Sequence, residues 1–147
     1  MEIERKFLIK ELPGNIESFP HKEFEQAYLC TEPVVRVRRE GDAYVLTYKS
    51  KGLMVRREEN LPLTKDAYEH LREKADGTVI IKTRYFIPEK ENLTIEVDIF
   101  HGKHEGLVLA EVEFPTVEIA ENYQPPEWFG EEVTFSNAYH NSNLSRN

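Results

Sequence analysis

Apolar and charged residues alternate along most of this chain with a period of two, the spacing at which side chains of an extended strand share one face. The alternation comes in short runs separated by turn signals: Leu12-Pro13-Gly14-Asn15, Glu40-Gly41-Asp42, Ser50-Lys51-Gly52, Asp76-Gly77 and His101-Gly102-Lys103. This pattern predicts strands over 2–9, 24–30, 33–40, 43–50, 54–61, 78–88, 92–100 and 107–115, with a further short extended piece at 131–135. Helical signals are few. Residues 64–75 are the clearest: Thr64 offers an N-cap, Asp66 sits in the first turn, Ala67, Leu71 and Ala75 repeat every four residues, and Gly77 follows the end. Shorter helical candidates cover 116–123 and 137–144. No repeat, low-complexity tract or linker divides the chain. The expected fold is mainly β and antiparallel, a sheet or barrel in a single domain over 1–147, with a few helices packed outside.

The polar faces of these strands are unusual. On a solvated face, charges of both signs interleave; here whole strands carry one sign. Arg36 and Arg38 share a face, as do Lys82 and Arg84, while Glu2 and Glu4, Glu96 and Asp98, and Glu111 and Glu113 form acidic pairs. Thr47, Lys49 and Lys51 group together, and so do Arg56, Glu58 and Asn60. Like charges side by side on one face repel. The arrangement makes sense if these faces converge on a ligand carrying both signs. Carboxylates hold a hard divalent cation, and Arg and Lys hold phosphate oxygens. The apolar faces then point outward and need cover, which the 64–75 helix and the aromatic C-terminal part (Tyr123, Trp128, Phe129, Phe135, Tyr139) supply. Closing the sheet into a barrel would remove its edges.

Charge bears on this directly. The chain has 147 residues and a net charge of −8, from 19 basic and 27 acidic residues. Such a protein is a poor partner for duplex DNA or an anionic membrane unless its cations are segregated. The converging set comprises Lys6, Arg36, Arg38, Lys49, Arg56, Lys82 and Arg84 against Glu2, Glu4, Glu58, Glu96, Asp98, Glu111 and Glu113. That is seven of each sign, and the remaining 12 basic and 20 acidic residues carry the whole −8 outside. A lone cysteine, Cys30, excludes an internal disulfide framework and a Cys-based zinc site. No apolar run reaches membrane-span length, and the N-terminus is charged from its second residue, unlike a signal peptide, so the expected setting is cytoplasmic. His101-x-x-His104 around a glycine-flanked turn reads as a solvated loop rather than a metal site.

The N-terminal run Glu2-Ile3-Glu4-Arg5-Lys6-Phe7-Leu8 resembles the ExExK signature of the CYTH superfamily, the triphosphate tunnel metalloenzymes. The similarity continues in order through Gln26-Ala27-Tyr28-Leu29, Val35-Arg36-Val37-Arg38, Leu46-Thr47-Tyr48-Lys49-Ser50 and Lys82-Thr83-Arg84-Tyr85. It goes on through Ile95-Glu96-Val97-Asp98, Leu109-Ala110-Glu111-Val112-Glu113 and Glu132-Val133-Thr134, to Tyr139-His140-Asn141. The resemblance implies a closed eight-stranded antiparallel barrel with a charged tunnel inside, binding a triphosphate with Mg²⁺ or Mn²⁺. It implies metal-binding roles for Glu2, Glu4, Glu111 and Glu113, joined by Glu96 and Asp98. Phosphate-binding roles fall to Lys6, Arg36, Arg38, Lys49, Arg56, Lys82 and Arg84, and Tyr28 would lie across one tunnel end. Lys6, Arg38, Glu58 and Lys82 are the expected catalytic set. One departure stands out: the fifth strand of relatives often reads Arg-x-Glu-x-Glu, and here Asn60 replaces the last charge. The implied activity is divalent-metal-dependent hydrolysis of a phosphoanhydride bond in inorganic tripolyphosphate or a related triphosphate. The alternatives are an adenylate cyclase, a nucleoside or thiamine triphosphatase, or a non-catalytic polyphosphate-binding module. Apolar outer faces are compatible with a homodimer.

Overall fold

A computed structural model describes residues 1–144 and, within them, all side chains but those of Ser142 and Asn143. The predicted strands form one antiparallel sheet: β1 (Glu2–Ile9), β2 (His21–Thr31), β3 (Val34–Glu40), β4 (Ala43–Lys49), β5 (Val55–Arg56), β6 (Glu58–Pro62), β7 (Asp76–Pro88), β8 (Thr94–His101), β9 (Val108–Glu113) and β10 (Phe129–Glu132). The order β10-β1-β9-β8-β7-β2-β3-β4-β6 runs around the molecule, and β5 returns to pair with β1. The sheet is therefore a nearly closed barrel.

The one strand expected over 54–61 is two. β5 bonds to β1 through the pairs Glu2–Arg56 and Ile3–Val55, whereas β6 bonds to β4 through Lys49–Glu58 and Thr47–Asn60. The break falls at Arg57, because this stretch must pair with both barrel ends and leaves one for the other. Counted as one stave, β5 and β6 bring the barrel to the eight expected. The extended piece near the C-terminus lies at β10 rather than 131–135 and takes the other half of the β1 edge, at Phe7 and Ile9. Lys51 falls outside β4, fully exposed, and pairs with Glu32 at 2.8 Å instead of joining the inward face of Thr47 and Lys49.

The outward apolar faces are covered as the alternation requires. Helix α1 (Lys65–Glu73), capped by Thr64 Oγ1 accepting from the Ala67 amide, lays Tyr68 and Leu71 over Ala27, Val37 and Leu46. On the other side, Ile3, Phe7, Ile95, Val97, Val112 and Phe114 pack with helix α2 (Val117–Asn122) and Phe129. Arg5 points outward between these layers. It donates to the Ala120 and Tyr123 carbonyls at the end of α2 and pairs with Glu132 at 2.7 Å. The last turn, α3 (Asn141–Leu144), brings Leu144 into a cluster with Tyr28, Ile80, Phe100 and Leu109.

Helix α1 is tied to β2 by Glu25, whose carboxylate accepts from the Tyr68 hydroxyl at 2.7 Å and from Arg72 at 2.6 Å. Burial would raise this carboxyl, but those two hydrogen bonds outweigh it and hold it below its ordinary value of 4.5. The stabilisation is present above that ordinary value and is lost as pH falls through the lowered one. Glu25→Gln is expected to cost about 1–2 kcal/mol at pH 7. In urea melts across pH, the gap to wild type should close as pH falls below the ordinary carboxylate range; a gap independent of pH would contradict this account.

Candidate active site

Inside the barrel, the alternating residues of all eight staves point at a single cavity of about 240 Å³. Its wall carries seven basic residues, Lys6, Lys22, Arg36, Arg38, Lys49, Arg56 and Arg84, and seven acidic ones, Glu2, Glu4, Glu40, Glu58, Glu96, Glu111 and Glu113. Tyr28, Phe24, Phe86, Asn60, His140 and Asn141 complete most of the rest. The charge balance expected from the sequence holds, with one residue of each sign exchanged.

The two that left are Lys82 and Asp98. Both face inward, yet they are 0% and 1% exposed and stand behind the wall. Lys82 Nζ is flanked by the rings of Phe24 and Phe100, 5.9 and 5.5 Å from their centroids, and donates to Asp98 Oδ2 at 2.7 Å. Asp98 also accepts from Arg84, at 2.7 Å from Nε and 2.8 Å from Nη2. Its carboxylate is thus already saturated by two cations, which outweigh the effect of burial and hold its pKa below the ordinary value. In this structure Asp98, expected among the metal ligands, is taken up by Lys82 and Arg84, and Lys82, expected to bind phosphate and act in catalysis, is taken up by Asp98.

The two that joined are Lys22 and Glu40. Lys22 opposes Arg84 across β2 and β7, two residues before Phe24. Glu40 lies two residues beyond Arg38 and pairs with its guanidinium. Phe86 likewise follows Arg84 by two. The signal was present in each case, since extending the inward parity by one step on β2, β3 and β7 finds all three. For His140 and Asn141 no periodic signal exists, because they follow the barrel. They are brought in by Thr134 Oγ1, which accepts from the Lys6 amide at 2.9 Å, and by Lys6 Nζ, which donates to the Tyr139 carbonyl at 3.1 Å. His140 Nε2 lies 3.3 Å from the Thr134 carbonyl. Burial, aided by Lys6, pushes His140 down to about 4, so it is neutral and donates there.

Tyr28 lines the cavity where the apolar cluster around Leu144 begins, consistent with the expected position at one end. Asn60, the departure from the acidic pattern, accepts from Thr47 Oγ1 at 2.6 Å and donates to Glu58 Oε1 at 3.3 Å. A neutral amide can do both where a carboxylate could only accept. Lys49 lies between Glu2, at 2.9 Å, and Glu58, at 3.4 Å. His101 bonds to Thr83 Oγ1 and His104 to the Leu144 carbonyl, both structural contacts. Cys30 is exposed and free.

Electrostatics divide the carboxylates into two kinds. Glu111 resists burial because Lys6, at 3.5 Å, together with Arg84, Lys82 and Lys49, holds it well below its ordinary value. Glu4 is pushed up to about 8, by burial first and then by the charges of Glu111 and Glu2. Glu96 and Glu113 are also raised, both by burial and by neighbouring carboxylates. Glu4 faces Glu113 across β1 and β9, and Glu111 faces Glu96 across β9 and β8. Among the described residues, no three His, Cys, Asp or Glu side chains already stand in a metal-ligating group. The donor chemistry nonetheless fits a hard divalent cation, an all-oxygen set whose mutual repulsion such an ion would relieve.

The sequence matches the CYTH domain over residues 1–146. The chain belongs to the CYTH family. Among similar curated proteins, the inorganic triphosphatase of Nitrosomonas europaea is 36% identical over 148 residues, covering 98% of this CYTH chain and 96% of the relative. The inorganic triphosphatase of Acetivibrio thermocellus is 35% identical over 156 residues, covering 99% and 94%. A crystal structure of an inorganic triphosphatase superposes with a TM-score of 0.74 at 33% identity, covering 100% of this chain and 95% of that one. The CYTH barrel is thus shared with a protein of that name. No helix among the described residues is long and apolar enough to cross a membrane.

Proposed function

We propose that this protein is a divalent-metal-dependent hydrolase that cleaves a phosphoanhydride bond of inorganic triphosphate. The observation that carries the reading is the meeting of a carboxylate cluster and a guanidinium cluster in one cavity, in a chain about a third identical to inorganic triphosphatases over nearly its full length. A pure anion binder has no use for Glu2, Glu4, Glu111 and Glu113 together.

Triphosphate resists hydrolysis because its own charge repels nucleophiles, so catalysis consists mainly of positioning and charge neutralisation. Glu4, Glu111 and Glu113 would hold Mg²⁺ or Mn²⁺, with Glu2 and Glu96 beside them. Bound there, the cation would neutralise phosphate oxygens and lower the barrier to attack by water. Arg36, Arg38 and Arg84 present guanidinium groups to the phosphate chain, and Lys6, Lys49 and Arg56 add charge from β1, β4 and β5. Glu58 stays ionised, because Lys49 and hydrogen bonding to Glu2 outweigh its burial, and it positions Lys49. Its expected catalytic part is thus better read as holding the lysine.

The test is phosphate release from tripolyphosphate, ATP and thiamine triphosphate with EDTA, Mg²⁺ or Mn²⁺, in wild type and Glu4→Gln. Metal-dependent release, strongest with tripolyphosphate and lost in the variant, is the expected result. Binding without release from any of the three would leave a polyphosphate-binding module, and cyclic product from ATP would identify a cyclase.

A further inference from the structure

Five buried side-chain polar atoms have no hydrogen-bond partner among the described residues. One is Asn141 Oδ1; the other four sit on two adjacent strands, as Nε2 and Oε1 of Gln26 on β2 and Nε of Arg36 and Arg38 on β3. Buried amides and guanidinium nitrogens left unpaired are costly, so such a concentration in one place calls for a reason.

Gln26 is 0% exposed. It shares the inward face of β2 with Phe24 and Tyr28, both of which line the cavity, and stands one layer behind that wall. Across the sheet, its Cα partner is Arg38. Residues so opposed have Cβ atoms about 4.5–5.5 Å apart on the same face. In this structure Arg38 Nη2 pairs with Glu40, and its guanidinium lies 5.0 Å from the Phe24 ring centroid. That posture leaves Nε without an acceptor. Burial, with Arg36 and Arg84 nearby, also pushes the Arg38 guanidinium down to about 10, as expected of a cation short of negative neighbours.

The composition of the four orphans is informative. Three are donors, and Gln26 Oε1 alone accepts. Gln26 Oε1 can take the donor of its cross-strand neighbour Arg38, and Arg36 lines a cavity open to oxygens of a ligand. A phosphate chain is made of such oxygens.

We propose that Gln26 is a positioning residue for Arg38. When a triphosphate enters, Gln26 Oε1 accepts the Arg38 Nε–H, and Arg38 Nη2 transfers from Glu40 to a phosphate oxygen. Arg36 Nε remains as a donor toward the phosphate chain. The inference rests on the reading that the cavity takes a triphosphate. It adds a residue whose neutrality is its use: the amide supplies an acceptor to the arginine without competing with the substrate as a carboxylate would.

Gln26→Leu tests this, alone and with Arg38→Met. An amide with no partner is replaced by an apolar side chain of similar size, so Gln26→Leu should melt at or above the wild-type temperature. Its kcat/KM for tripolyphosphate should nevertheless fall roughly ten- to a hundredfold, as when a partner that orients a functional group is removed. Calorimetric binding of tripolyphosphate in EDTA should weaken along with it. In the Arg38→Met background, Gln26→Leu should add no further loss. Wild-type kinetics and binding in Gln26→Leu, or a loss that adds in full to that of Arg38→Met, would overturn the proposal. A melting point well below wild type would do so too, by showing the amide to be bonded already. If wild-type protein itself neither bound nor cleaved tripolyphosphate, the reading of the cavity would fall and this inference with it. Wild-type activity with an unaffected Gln26→Leu would remove this inference alone.

Discussion

Replacing Glu111 with Gln is expected to lower tripolyphosphate turnover by about 10²–10³-fold, the loss typical of removing one preorganised charge from a reacting centre. Glu111 is held well below its ordinary value, whereas Glu4, Glu96 and Glu113 are raised above theirs. Lys6, Arg84, Lys82 and Lys49 overcome its burial, and its own charge in turn helps raise Glu4. The substitution keeps the shape and removes the charge around which both clusters are organised. Lys6 retains the Tyr139 carbonyl and Arg84 retains Asp98, so the fold should persist. Initial rates at saturating Mg²⁺, with Mg²⁺ titrations by calorimetry, would check this. Turnover within threefold of wild type at unchanged metal affinity would remove Glu111 from the metal-binding set.

The largest effect on stability is expected at Asp98. Asp98→Asn strips the charge from a carboxylate that pairs with two buried cations, Lys82 and Arg84. Breaking one partner out of such a group costs about 3–5 kcal/mol, because the charge left behind cannot be hydrated. For a chain of this size, that corresponds to a fall of about 10 °C or more in Tm. Lys82 makes the case sharper. Burial already pushes its ammonium down to about 8 despite Asp98, so its charge is held largely by that one partner. Asp98→Leu with Lys82→Met should recover only the part due to Lys82, which lies between Phe24 and Phe100, because Arg84 still loses its bidentate partner and keeps only Glu96 and Glu111. Urea unfolding of the three proteins decides it. A cost for Asp98→Asn under 1 kcal/mol would mean that water reaches this pair. Activity should fall as well, because Arg84 loses the groups that aim it.

A further feature shows how tertiary context changes the meaning of a residue. His140 and Asn141 stand in the wall of the cavity although they follow the barrel by several residues; hydrogen bonds to Thr134 and Tyr139 from Lys6 place them there. The inward parity of Arg56, Glu58 and Asn60 runs on unbroken through the point where the chain changes partner strands, and Arg57 between them is exposed.

What the sequence determined by itself was the face of each strand. Side chains two apart must lie on the same side of an extended backbone, so Glu2, Glu4 and Lys6, or Arg36 and Arg38, could not be separated by any later folding step. The clustering of like charges on those faces was therefore legible, and so was the need for apolar cover outside, which α1, with its cap readable at Thr64, and α2 meet. Parity says nothing, however, about height along the barrel or about which rings stand in front. Lys82 and Arg84 share a face, yet Arg84 reaches the cavity while Lys82 is shut behind Phe24 and Phe100. Asp98 pairs with Arg84 because β7 and β8 set the two directly opposite each other. Strand pairing and depth depend on contacts between residues far apart in the chain, and those exist only once the barrel has closed.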